Sequence, residues 1–358
     1  MLDNELAVVC YDCSLTKEDS ILPHYGVWVA GECIRYLPWR DEGDCVVRIC
    51  SLLPSATEIV FALGEGNSLV GVTHECDYPR EASQVPKVTR SNIPDGLSSQ
   101  QIDSAVSHTL EAAGTLYELN LPLLEQLRPD LILTQRLCDV CAVSYDRVQE
   151  AAKNLKSNPI VLNLEPHSLD EILETILVVG KAIGRSAASN ALVGSLRGRI
   201  NAVRDKTNTL SYRPRVFCME WITPPYCAGH WMKELVEIAG GRDDLACLHQ
   251  PSRRIDWSQV VAYAPEVIVL ACCGFNLERC QEEAATLAEY EGISDLPAVK
   301  AERLYATDGS AYFSRPGPRI VESLEILAHL THPKLFAPPP LNGAFCLLNL
   351  TREEVSEG

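Results

Sequence analysis

Basic residues are scarce in this chain: 31 lysines and arginines stand against 48 aspartates and glutamates, a formal charge of −17 over 358 residues. A surface with that excess repels phosphate backbones, so nucleic acid is excluded as a partner class. Long apolar runs are missing too, and none approaches the roughly 18 residues that a membrane-spanning helix needs. The start of the chain, Met1-Leu2-Asp3-Asn4-Glu5 with Lys17-Glu18-Asp19 soon after, has no basic region, apolar stretch and small-residue cleavage site in succession. It therefore lacks the marks of a secretory leader, and it also lacks the Arg- and Ser-rich, acid-poor bias of a transit peptide. A cytoplasmic location is the resulting expectation. Catalytic signatures are absent as well: there is no G-x-S-x-G elbow, no phosphate-binding G-x-x-x-x-G-K-[ST], no dinucleotide G-x-G-x-x-G and no H-E-x-x-H. A non-enzymatic role follows.

Cysteine is the opposite case, with fifteen residues. An odd number scattered over so long a chain suits a reducing compartment better than a disulfide framework. With 46% hydrophobic and 22% charged residues, the chain has material for two apolar cores. Residues 1–45 carry short β-like runs at Leu6–Tyr11, Tyr25–Val29 and Cys33–Leu37 and read as an N-terminal β extension. An α/β lobe spans 46–167. It opens on a strand at Val46–Leu53 and a helix at Ala56–Leu63 with Ser55 as its N-cap, followed by a strand at Leu69–Val72. Residues 168–208 form a helical connector, either one long helix or a broken pair, opened by a capping box of Ser168 and Glu171. A second α/β lobe spans 209–335, with helices at Met232–Ala239 and Arg319–Leu330. Residues 336–358, with Pro338-Pro339-Pro340, read as a tail. The halves share a weak repeat: Leu123 to Thr134 has the same helix, proline, acid, strand design as Val260 to Ala271, and the proline is expected to stop each helix. Two Rossmann-like lobes with a cleft between them is the predicted fold, in a monomer.

Ligands of open α/β sheets sit beyond the carboxyl ends of strands, and those positions here collect aromatics and thiols. The candidate ligand contacts are Pro54, His74, Cys76, Tyr226, His230, Trp231, Trp257, Phe275, Tyr312 and Arg315. Trp221 and Phe313 follow strands in the same way. Flat apolar walls suit a large planar or macrocyclic molecule such as a corrinoid or an iron complex. The thiols allow another reading, in which Cys76, Cys138, Cys141 and Cys273 hold zinc or an iron–sulfur cluster, Cys138-Asp139-Val140-Cys141 being a CxxC. A second CxxC, Cys10 to Cys13, lies in the extension, and a redox dithiol is a third use of such pairs.

Several blocks in order resemble the Fe/B12 periplasmic-binding family, the helical-backbone substrate-binding proteins of ABC importers, and its cobalamin-binding branch in a leaderless form. They are Ser51-Leu52-Leu53-Pro54-Ser55-Ala56-Thr57-Glu58, the stretch from Val70 to Pro79 ending Cys76-Asp77-Tyr78-Pro79, Pro129-Asp130-Leu131-Ile132, Pro224-Pro225-Tyr226, Asp256-Trp257, and Phe313-Ser314-Arg315-Pro316-Gly317-Pro318-Arg319. The resemblance covers about Arg48 to Pro333. It implies two α/β lobes joined by one long helix, cobalamin or a related corrinoid as ligand in the cleft, Tyr226, Trp257 and Arg315 as ligand contacts, and Glu58 among the acids that dock on a transporter. Without a leader, a membrane transporter is a doubtful partner, and an intracellular binding role is the expectation.

Overall fold

The computed structural model describes residues 26–29, 32–35, 47–94, 96–113, 115–136 and 143–350. Two short strands, β1 (Gly26–Val29) and β2 (Glu32–Arg35), pair antiparallel where the sequence placed two of its three β runs. The run Leu6–Tyr11 and both CxxC motifs, Cys10/Cys13 and Cys138/Cys141, lie outside the described residues.

The first lobe runs β3 (Ile49–Ser51), α1 (Pro54–Ala62), β4 (Leu69–Val72), β5 (Thr89–Ser91), α2 (Ser99–Ala113), β6 (Tyr117–Leu119), α3 (Leu121–Leu127), β7 (Leu131–Thr134), α4 (Tyr145–Asn154) and β8 (Ile160–Asn163). Its main sheet is fully parallel in the order β4-β3-β7-β8, while β5 and β6 form a separate antiparallel pair. At α1 the expected Ser55 cap gives way to Pro54, which occupies the first helical turn with Leu53 as N-cap. Proline's fixed φ and missing N–H suit that position, so Ser55 is carried inside the helix.

The connector is the broken pair. α5 (Leu169–Ala182) and α6 (Ser186–Thr207) are separated by Gly184, whose φ of +73° a side chain would resist. They lie antiparallel: Gly180 presses on Ser189, and Leu173 lines a groove of about 660 Å³ together with Arg197 and Ile200. The continuous helix of about 40 residues is therefore not formed, and the long connecting helix is α6, whose 22 residues reach about 33 Å. The Ser168 cap is present, its hydroxyl accepting from the Glu171 N–H at 3.2 Å. The Glu171 carboxylate returns to the backbone N–H of His167, one residue earlier than a capping box requires, at 2.6 Å.

The second lobe comprises β9 (Val216–Trp221), β10 (Tyr226–Cys227), α7 (Met232–Ile238), β11 (Arg253–Arg254), α8 (Trp257–Tyr263), β12 (Val267–Leu270), α9 (Leu277–Ala284), α10 (Pro297–Lys300), β13 (Leu304–Thr307), α11 (Ile320–Thr331) and β14 (Phe345–Leu347). Its strands stand in the order β11-β10-β9-β12-β13-β14, with β9, β12 and β13 parallel. β14 corrects the expected tail. Beyond the prolines the chain returns and pairs antiparallel with β13, covering what would otherwise be an open edge.

The sequence repeat is deeper in three dimensions. α3 and α8 each end on a left-handed residue, Arg128 and Ala264, so the proline follows the stop rather than making it. An arginine just before the first strand of each lobe then joins the unit. The Arg48 N–H donates to Asp130 at 2.9 Å and the Arg215 N–H to Glu266 at 3.0 Å. Their guanidinium Nε atoms reach the ends of the neighbouring helices, Leu127 O at 2.9 Å and Ala264 O at 2.8 Å. Cationic groups at helix carboxyl ends complete orphan carbonyls and complement the dipole.

The lobes share one core. Ile59 of α1, Ile176 of α5, Leu196 of α6, Leu235 of α7 and Leu324 of α11 belong to a single buried cluster. The outer faces of the two sheets have separate clusters, around Ile132 and Val148 in the first lobe and Phe217 and Leu287 in the second. Swinging the lobes apart would expose this shared apolar surface, which makes the joint stiff. Among the described residues no helix is long and apolar enough to cross a membrane.

Candidate ligand-binding site

At the carboxyl ends of β9 and β12 the second lobe presents a ring pair. Trp221 and Phe275 meet with centroids 4.9 Å apart, and the Arg279 guanidinium lies 5.0 Å from the Phe275 ring. Nearby, Trp257 opens α8, its ring 4.5 Å from Tyr290 and its N–H fixed on Glu291 O at 2.8 Å. Tyr226, half-buried on β10, has its phenol pushed up by burial and then by the carboxylate of Asp103.

Asp103 belongs to α2, so the first lobe reaches over this aromatic face. The Ser99 N–H donates to both oxygens of Glu283 at 3.2 Å, and the Trp221 N–H donates to Ser99 O at 3.2 Å. Arg279 binds Leu97 O as well as Glu283, and Ile102 packs against the second lobe's cluster. A carboxylate from one lobe thus caps a helix of the other. Replacing Glu283 with alanine is expected to cost about 1–2 kcal/mol by removing that cap. It should also raise amide hydrogen exchange across α2; unchanged exchange there would remove the clasp from this account.

A second joint links the lobes through Glu58. Glu58 on α1 is 3% exposed and accepts from Arg319 at 2.6 and 2.9 Å and from Arg315 at 3.2 Å. Arg315 also forks onto Asp77 at 2.5 and 3.1 Å and reaches Ser310 at 3.3 Å. Burial works against the Arg315 charge, but Asp77 and Glu58 outweigh it and raise its pKa. Burial likewise raises Asp77, and the bonds and charge of Arg315 overcome this and hold its carboxyl low. The Arg319 guanidinium lies 4.0 Å from the Tyr78 ring and 5.4 Å from that of Tyr312. Glu58, expected as a surface docking acid, is therefore an interior ion. Arg315, expected as a ligand contact, spends its donors between lobes.

Other expected contacts are distributed unevenly. Pro54 and His74 do stand at strand ends of the first lobe, His74 with Nδ1 at 2.7 Å from Thr89 Oγ1 and its ring 5.6 Å from Tyr117. Cys76 points into the core, 2% exposed and 3.1 Å from the Thr57 hydroxyl, and burial pushes its thiol up to about 11. It is a protonated interior group, unsuited to serve as a thiolate ligand. Cys273 is only half-buried, and its backbone N–H pairs with Glu220 O at 3.1 Å. Among the described residues no group of three or more His, Cys, Asp or Glu is placed to hold a metal ion. The Trp231 ring, expected in a ligand wall, is 5% exposed and joins the shared core, while its Nε1 finds no partner in the protein.

His230 begins a polar track whose members lie apart in the sequence. Its φ is +51°, its ring stacks 5.5 Å from Trp231 and faces His167 at 6.2 Å, and burial and then His167 lower its pKa. His167 Nε2 lies 4.0 Å from Glu165, which accepts from Asn163 Nδ2 at 3.0 Å. Asn163 is the last residue of β8, so the track runs from the first lobe's strand ends to the start of α7.

A family model described as periplasmic binding protein matches residues 49–311. The chain is similar to an uncharacterized ABC transporter substrate-binding lipoprotein of Bacillus subtilis, 27% identical over 296 residues that cover 81% of each protein. It is also similar to the vitamin B12-binding protein of Vibrio cholerae, 23% identical over 281 residues, 78% of this chain and 86% of that one. Among solved structures, the apo periplasmic heme-binding protein of Roseiflexus sp. RS-1 superposes with a TM-score of 0.60 at 22% identity, covering 81% of this chain and 99% of that one.

Proposed function

Because this chain belongs to the periplasmic binding protein family, a family of binding proteins rather than enzymes, we propose that it binds a cobalamin-like corrinoid or a related tetrapyrrole complex between its lobes. The observation that carries the reading is the half-buried Trp221 ring, backed by the buried Phe275 at the ends of β9 and β12, with Tyr226 paired beside it and α2 of the other lobe across it. Rings of this kind reward burial of a broad flat ligand without demanding charge. The names of the relatives run the same way, toward vitamin B12 and heme. The Bacillus relative is named an uncharacterized ABC transporter substrate-binding lipoprotein; for this chain the binding step is what the geometry supports, and action inside the cell belongs to the proposal.

The test is a titration of the full chain with hydroxocobalamin and, separately, with hemin, following tryptophan emission and the visible spectrum. Saturable quenching is expected with at least one of them. Trp221→Ala should weaken that binding about tenfold, the loss of a central aromatic contact. No quenching and no spectral change with either compound would remove the reading. Fractionation of cells carrying the protein addresses its location.

A further inference from the structure

We propose that the polar track between the lobes makes the site select ligands with carboxamide or other neutral hydrogen-bonding groups on their periphery and reject those bearing carboxylates. The inference rests on the reading above and narrows it. Four atoms along the track are buried without a hydrogen-bonding partner in the protein: Asn163 Oδ1, His167 Nδ1, His230 Nδ1 and Trp231 Nε1. Buried polar atoms are nearly always paired, and leaving one unpaired costs more than an ordinary hydrogen bond gains. Four together, spanning the joint between two lobes, mark a place where a bound molecule completes the pairing.

Their chemistry says what kind of molecule. The Asn163 side chain has its orientation fixed, because its neighbour Glu165, as a carboxylate, can only accept and must face the NH2 end. The opposite end, Oδ1, therefore asks for a donor. Trp231 Nε1 can only donate and asks for an acceptor, while each imidazole nitrogen adapts by tautomer. A carboxamide offers both donors and acceptors; a carboxylate offers acceptors alone.

Charge points the same way. Glu165 stands beside Asn163 and His167, Glu171 holds the His167 N–H, and Glu220 accepts from Gly229 next to His230. Glu234, on α7, is paired with His249 at 2.7 Å. Among the described residues no lysine or arginine is hydrogen-bonded or ion-paired to any of Asn163, Glu165, His167, His230 or Trp231. An anionic group brought here meets acids without a compensating cation.

Two corrinoids that share ring and cobalt separate the alternatives: cobyrinic acid in its dicyano form, whose periphery is carboxylate, and the corresponding per-amide. Calorimetric titration of the full chain is expected to give at least about tenfold tighter binding of the per-amide. Asn163→Leu should weaken the per-amide about three- to tenfold, the loss of one hydrogen bond, and leave the polycarboxylate unchanged. Glu165→Gln, a mild change at a half-exposed position, should bring the two affinities closer together. Equal affinities, tighter binding of the polycarboxylate, or a ratio that neither substitution moves would overturn this inference while leaving the corrinoid reading in place. Failure of both corrinoids to bind would overturn this inference together with the corrinoid part of the reading above, leaving hemin binding as the test of the remainder.

Discussion

Alanine at position 58 is expected to lower the stability of the whole protein by about 3–5 kcal/mol, the usual result of removing one partner from a buried ion group. Arg315 and Arg319 are 6% and 9% exposed, and among the described residues Glu58 is the only carboxylate in an ion pair with Arg319. With Glu58 gone, Arg315 retains Asp77 and Ser310, whereas Arg319 is left with no directly bonded carboxylate among the described residues: the rings of Tyr78 and Tyr312 stand against its guanidinium, and Asp77, Asp308 and Glu322 act on it only through space. A guanidinium cannot shed its proton to escape an apolar site, so the cost falls on the fold. Because the lobes share a core, the loss should appear as a shift of one cooperative transition in urea rather than as separate melting of one lobe. A change smaller than about 1 kcal/mol, as surface pairs give, would show that the network is solvated in practice.

Gly309→Ala should be comparably damaging, at about 3 kcal/mol. A Cβ at this position would stand 2.2 Å from the carbonyl oxygen of Cys272, 2.8 Å from its nitrogen and 2.9 Å from the carbonyl carbon of Ala271. All three are backbone atoms, so no side chain can swing aside. The loops after β12 and β13 are held against each other here, and the Ser310 N–H donates to Phe275 O at 2.9 Å. Forcing them apart displaces Phe275 from Trp221. The variant should therefore show a lowered melting temperature and an altered tryptophan emission maximum. Wild-type values for both would mean that the loops have slack.

Legibility from sequence followed the range of the interactions. β4 is found at its expected boundaries because a compact apolar run is bracketed by a polar turn and a histidine. The paired units around Pro129 and Pro265 were visible, since helix, proline, acid and strand are neighbours in the chain. Arg48 and Arg215 were not, because each completes its unit from far away in sequence: Arg48 Nε meets Leu127 O across 79 positions. β14 was hidden behind Pro338-Pro339-Pro340, whose composition says only that a helix or central strand is disfavoured there.

The candidate site was legible as a list of residue types and not as an arrangement. Strand ends bring Phe275 and Tyr226 into one region, but position after a strand does not give side-chain direction. The Cys76 side chain and the rings of Trp231 and Phe275 turn into buried clusters, which residue order alone does not announce. The α2 clasp joins Ser99 to Glu283 over 184 positions, and no local signature announces it. Asn163 and Glu165 carry no local signature either; the unpaired atoms around them exist only in the folded arrangement.

The same ion group also has a consequence for biosynthesis. Glu58 waits for partners that lie 257 and 261 positions later in the chain. At a synthesis rate of about 5–20 residues per second, that gap lasts roughly 13–52 s. Through that interval the α1 face of the shared core is uncovered, and Glu58 can enter an apolar interior only by taking up a proton. Its permanent partners are made last, so the ion group is complete only when α11 arrives.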